Sequence, residues 1–319
     1  MSDSTSEYEV YYPENDLLVQ LEVNSEAYSY LEYVTLEYPS QTIITHRNKV
    51  LVAQGGESAS IVELTFKNLR KNAKFKHKQR NLKGNVNRIR SNSNMIIAVG
   101  DDMAYFMNNK LEIDVELINT FSYGLVLTND YIFLTTQEGE IIKMDIVDQS
   151  KDVFQVHSKG IDGLAFANGL LFSASNDNTL KVTDIRSEQT VYTYQSDVNI
   201  NSVDATNDNF LFGDDSGTVF LSEMRNFKNM EKIHWHKSPI SAVKFKDADV
   251  FCTLSDEQVC LWDRGFEEDW EYHKYLYFVH QGQNYYKECT FLDEYIITTS
   301  QDGLAIFKPV EEAGDTYVE

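Results

Sequence analysis

The chain has 319 residues, 42% hydrophobic and 13% aromatic, with 4 prolines and 15 glycines, a composition suited to a large buried core and foreign to disordered, collagen-like or mucin-like chains. Fifty acidic against twenty-eight basic residues leave a net charge of −22, which opposes binding of duplex nucleic acid over the surface as a whole. Apolar runs such as Tyr131–Leu134 fall far short of the eighteen or so residues of a membrane span, and Met1–Glu7 lacks the basic and apolar regions of a signal peptide, so a soluble intracellular protein is expected.

Residues 1–40 hold nine acids (Asp3, Glu7, Glu9, Glu14, Asp16, Glu22, Glu26, Glu32, Glu37) and no Lys or Arg. Within them Asn24 or Ser25 is a candidate helix cap, Glu26 sits in the first turn, and Ala27, Tyr30, Leu31 and Val34 recur at helical spacing; a short helix over Glu26–Val34 is predicted, stopped before Pro39. The expected division is an acidic extension over 1–35, one domain over 36–310 and an acidic tail over 311–319. Residues 67–90 invert the charge, with ten Lys or Arg and no acid.

A repeat of about forty residues organises the rest. Strand, polar turn and alternating strand recur, closing at Met144-Asp145, Thr183-Asp184, Ser222-Glu223, Trp262-Asp263 and Phe307-Lys308, with spacings of 39, 39, 40 and 45 residues. Turn residues punctuate the units at Glu138-Gly139, Asn176-Asp177, Asp214–Gly217 and Gln301–Gly303. Inner strands are predicted to begin near Ser40, Asn85, Ser122, Ile161, Val198, Ile240 and Tyr285. Seven units of short strands predict an all-β, seven-bladed β-propeller, with six or eight blades as the alternatives because the first unit is degenerate.

The pattern resembles the WD-repeat propellers over roughly 36–310, although only Leu261-Trp262-Asp263 keeps the Trp-Asp pair. His157, His236 and His280 fall where the repeat histidine would stand, and a structural, hydrogen-bonded role is expected for each. Cys252, Cys260 and Cys289 form no CxxC pair and read as buried free thiols. No phosphate-binding glycine loop, HExxH or GxSxG is present, and His234-Trp-His236 lacks a third zinc ligand nearby. A non-enzymatic monomer is expected, without cofactor, metal, membrane or small-molecule substrate.

Outside the repeat, Glu9-Val-Tyr-Tyr-Pro-Glu-Asn15, Leu36-Glu-Tyr-Pro-Ser40, Gly84-Asn-Val-Asn-Arg-Ile-Arg90 and Tyr277-Phe-Val-His-Gln-Gly-Gln283 resemble the glutamate-rich WD-repeat ribosome-assembly chaperones. These are relatives of the retinoblastoma-associated histone-binding proteins. The resemblance implies a nucleolar or nuclear escort of a basic large-subunit ribosomal protein, the universal third protein of that subunit, delivered to the pre-ribosomal particle. It further implies that a basic helix docks between the N-terminal helix and an acidic loop of the penultimate blade. Here these would be Glu26, Tyr30 and Glu32 on one side, and Glu267, Glu268, Asp269, Trp270, Glu271 and Tyr272 on the other. The chain departs from the family in lacking its long acidic insertion and in carrying a basic segment between blades one and two. The alternatives are a histone-binding subunit of a chromatin or acetyltransferase complex and a general propeller scaffold. For the basic segment, a nuclear-import element or RNA contact through Lys74, Lys76, Lys78 and Arg80, and a plain solvated loop, stand as open readings.

Overall fold

The computed structural model describes residues 23–55, 59–65, 76–265 and 273–310. Short runs rich in β-branched and aromatic residues, separated by polar turns, pair as successive antiparallel hairpins. After β1 (Tyr28–Val34), blade one holds β2 (Ser40–His46), β3 (Lys49–Gln54), β4 (Ser60–Thr65) and β5 (Lys76–Asn81), and blade two holds β6 (Arg88–Ser91), β7 (Met95–Val99), β8 (Met103–Asn108) and β9 (Ile113–Ile118). Blade three comprises β10 (Phe121–Leu127), β11 (Tyr131–Thr136), β12 (Glu140–Asp145) and β13 (Lys151–Gln155); blade four comprises β14 (Ile161–Ala167), β15 (Leu170–Ser175), β16 (Thr179–Asp184) and β17 (Gln189–Gln195). Blade five is β18 (Ile200–Ala205), β19 (Asn209–Asp214), β20 (Thr218–Glu223) and β21 (Met230–His234), and blade six is β22 (Ala242–Phe245), β23 (Val250–Leu254), β24 (Val259–Asp263) and β25 (Leu276–His280). Blade seven takes β26 (Glu288–Leu292), β27 (Tyr295–Ser300) and β28 (Gly303–Pro309) from the end of the chain and β1 from its beginning, in the order β1-β28-β27-β26. The first strand of each blade touches that of the next, and β26 touches β2, so the expected seven-bladed ring is closed. Among the described residues the buried apolar side chains form seven clusters, one at each seam between adjacent blades.

The helix expected over Glu26–Val34 is absent. Only Ser25–Ala27 forms a 3-10 turn, capped by the Asn24 side chain on the Glu26 N–H, and Tyr28–Val34 is the outer strand of blade seven. A bulge explains the misleading periodicity. Register shifts between Tyr28 and Tyr30, so Tyr28 and Leu31, three apart, pack together at the seam of blades six and seven. Tyr30 and Val34 pack at the seam of blades seven and one. A strand with one bulge thus carries apolar residues at spacings of three and four, and its aromatic, β-branched residues suit a sheet edge. The propeller therefore begins at Tyr28, inside the segment expected to be an extension.

Two of the WD-type histidines form the expected polar sets. His236 is bonded to Thr253 Oγ1 (2.7 Å) and Ser255 Oγ (2.9 Å), and the Trp262 indole N–H also donates to Thr253 Oγ1 (2.8 Å). His157 bonds Ser173 Oγ (2.7 Å) and Asp177 (3.1 Å). Although burial pushes the other way, hydrogen bonds from Thr179 and the Ser158 N–H hold the Asp177 carboxyl at about 2. In blade seven, His280 instead meets the Tyr28 hydroxyl (2.9 Å) and stacks on Phe307 (4.1 Å), leaving its Nε2 and the Thr298 hydroxyl without partners. The closing strand has claimed this histidine. Gly139 and Gly217, at equivalent turns, have φ of +83° and +82°, and a Cβ there would lie 2.3 Å from the His157 carbonyl oxygen and 2.4 Å from that of His236. Gly217→Ala is therefore expected to cost about 1–3 kcal/mol, measured as a lower urea midpoint at unchanged slope.

Candidate partner-binding rim

The third strands of blades six and seven, β24 and β28, run the same way around the ring. The end of β24 at Asp263 and the end of β28 at Pro309 therefore open on one rim. Tyr28 pairs with Pro309, and the Val310 N–H donates to the Ala27 carbonyl (3.0 Å). Ala27 and Tyr28, where the chain joins the ring, thus lie on that rim, one blade from the point where the chain leaves β24 for β25. The acids that define the expected loop, Glu267, Glu268, Asp269 and Glu271, with Trp270 and Tyr272, lie outside the described residues.

Both stems of that connection are anchored. The Gly265 N–H donates to Asp263 (2.8 Å), and His273 meets the buried Trp262 edge-on at 5.4 Å. Burial pushes the His273 imidazole down. Lys274 pairs with Glu231 of β21 (2.9 Å) and lies 4.4 Å from the Tyr275 ring, so the returning stem leans toward blade five.

On the blade-seven side the expected residues separate. Glu26 is exposed in the 3-10 turn. Tyr30 donates to Glu32 and packs edge-on against Tyr295 at 5.4 Å; burial and that carboxylate push its phenol up. Strand alternation turns Tyr30 and Glu32 toward blade one, away from the blade-six loop that they were expected to face. The residues facing blade six are Tyr28, 5.1 Å from Phe278, and Tyr33, 45% exposed and 6.5 Å from His280. Tyr33 was missed because only the strand register distinguishes it from Tyr30.

The basic candidates lie on blade one: Lys76 opens β5, Lys78 and Arg80 are exposed along it, and Lys74 is outside the described residues. The central channel holds two cavities of about 140 and 150 Å³, and its charged groups face one another. Arg88 and Arg90 each lie 3.0 Å from Glu288 Oε1. His234 and His236 bond to different blades, through Thr218 and Thr253. Among the described residues no group of three or more His, Cys, Asp or Glu is placed to hold a metal ion. No family model matches this chain. A seven-bladed β-propeller is an architecture typical of protein-interaction scaffolds.

Proposed function

We propose that this protein is a ribosome-assembly chaperone that shields a basic large-subunit ribosomal protein in the nucleus and nucleolus. One observation supports the reading most: the chain's entry at Ala27 and the β24–β25 connection leave one rim on adjacent blades, and each leads in sequence to a strongly acidic stretch. One is 1–22, with six acids and no Lys or Arg; the other is 267–271, with four acids. Ribosomal proteins carry cationic extensions that pair with RNA indiscriminately, and a rim of carboxylates competes for them through bidentate arginine bonds. Tyr28, Tyr33, Trp270 and Tyr272 add aromatic faces for cation–π contact. Capture of this kind weakens with salt, because exposed pairs are screened within about 8–10 Å.

Replacing Glu267, Glu268, Asp269 and Glu271 together by Lys is expected to reduce retention of the large-subunit ribosomal protein in pull-downs by about tenfold or more, each like-charge contact costing several kcal/mol. The circular dichroism spectrum should stay unchanged. Equal retention by that folded variant would sink the assignment of the rim. Recovery of histones in place of ribosomal proteins, by affinity purification and mass spectrometry, would replace the client.

A further inference from the structure

Within the basic segment, Lys76–Asn81 forms β5, the outer strand of blade one, with Lys78, Gln79, Arg80 and Asn81 all exposed. Lys78 stands opposite Glu63 and Arg80 opposite Ile61, so the two cations share a face and lie about 6.7 Å apart along the strand. That face looks toward blade two. Lys78 donates to the Lys110 carbonyl in the turn between β8 and β9, and Arg47 donates to the Ser93 carbonyl in the turn between β6 and β7. Arg47, Lys110 and Lys83 are themselves exposed. A strip results, with Arg47 and Lys110 at one end, Lys78 and Arg80 along it, and Lys83 beyond the end of the strand. Among the described residues, none of these five is in an ion pair, in a chain with nearly two acids for every base.

Lysines on a free edge also hinder sheet-to-sheet pairing, which would need no ligand. The other six outer strands weigh against that explanation. β9 carries Asp114 and Glu116 without a cation, β13 sets Lys151 beside Asp152, and β21 sets Glu231 beside Lys232. β17 and β25 have no Asp, Glu, Lys or Arg, and β1 has Glu32 alone. Six edges do without net positive charge, so the charge on β5 exceeds what the fold requires.

We propose that this edge of blade one binds single-stranded RNA through its phosphates. Cations on alternate strand residues recur at a distance close to that between successive phosphates of an extended single strand. The chain's own fifty carboxylates are standing competitors for the strip, so its ligand must have a higher linear charge density than an acidic polypeptide. A phosphodiester strand, which releases condensed counterions on binding, meets that requirement. A duplex would bring its second strand against the acidic remainder of the surface.

The test is fluorescence anisotropy of a labelled oligouridylate of about twenty nucleotides with the full chain. Binding is expected to weaken as salt rises. The double variant K78E/R80E should weaken it about tenfold or more and reduce the log–log salt slope by about 1.4. Lys151→Glu on β13 should change it less than about twofold. Both variants should keep the wild-type melting temperature, and K78E/R80E should still retain the basic client, which separates this site from the acidic rim. Absence of RNA binding by the wild-type chain overturns the proposal, as does equal weakening by Lys151→Glu. Preferential binding of a labelled polyglutamate peptide would overturn it too, assigning the strip to an acidic protein.

Discussion

Glu288→Ala is expected to destabilise the ring by about 3–5 kcal/mol, the cost of leaving a buried charge without its partner. Glu288 Oε1 receives Arg88 and Arg90 at 3.0 Å each, while Oε2 accepts the Thr42 hydroxyl and the Ile43 N–H (2.9 Å). Arg88 goes on to donate from Nε to the Tyr123 carbonyl (3.1 Å) and from Nη2 to that of Asp162 (3.3 Å). One carboxylate and one guanidinium therefore join blades seven, one, two, three and four across the channel. The alanine variant removes the acceptor and strands two arginines and the Ile43 N–H. Equilibrium urea unfolding measures the loss, and a change below about 1 kcal/mol would show that the hub is not holding the blades. The triple variant R88M/R90M/E288M should recover a substantial part of the loss, because buried ion clusters are often replaceable by packed apolar groups. The unpaired Ile43 N–H would keep recovery incomplete.

Stability should also fall steeply on acidification, beginning well above the carboxylate range. Burial lowers His236 and His280 from 6.5 to about 3. Both stay neutral in the ring while the unfolded chain protonates them below about pH 6.5. The unfolded state then binds more protons, and each histidine removes about 1.4 kcal/mol of stability per pH unit as pH falls between those limits. Together they give a slope of about 3 kcal/mol per unit and a loss of about 6–7 kcal/mol by pH 4. His157 adds to the trend in direction, since burial lowers it despite Asp177. Glu288 follows in a lower window. Burial alone would raise it, but Arg90 and Arg88 bring it from 4.5 to about 2. Its contribution, present in full above pH 4.5, is lost toward pH 2, about 3 kcal/mol in all. Urea titrations at successive pH values measure the slope, and His280→Asn should flatten it by about half between pH 6 and 4. Equal stability at pH 7 and pH 5 would contradict the burial of these imidazoles as neutral groups.

Much of the ring was legible because its rules are local. The third unit was expected to open near Ser122 and to close at Met144-Asp145, and its strands begin at Phe121 and reach Asp145 at the end of β12. A hairpin needs alternation and a turn within a dozen residues, and both are written there. The structural roles of His157 and His236 were legible from their place in the repeat, and their hydroxyl and carboxylate partners lie 16 to 20 residues further along the same blade. Of the expected site, the basic strand was visible as a run of charge, and its exposure followed from its place at a blade edge.

Other features depended on residues that only the fold brings together. Tyr28–Val34 has spacings that fit either a helix or a bulged strand, and its own residues do not choose between them. The free edge of β28, some 270 positions later, decides the matter by offering unpaired backbone groups. Likewise, nothing near Glu288 in sequence marks it as the hub, because its partners lie 198 to 246 positions away. Sequence by itself determined the repeat, the blade count and the segregation of charge, all encoded over short spans. Tertiary structure alone decided how the ring closes, which faces of β1 look to which blade, and where a buried charge ties the blades together, because each is a pairing between distant segments.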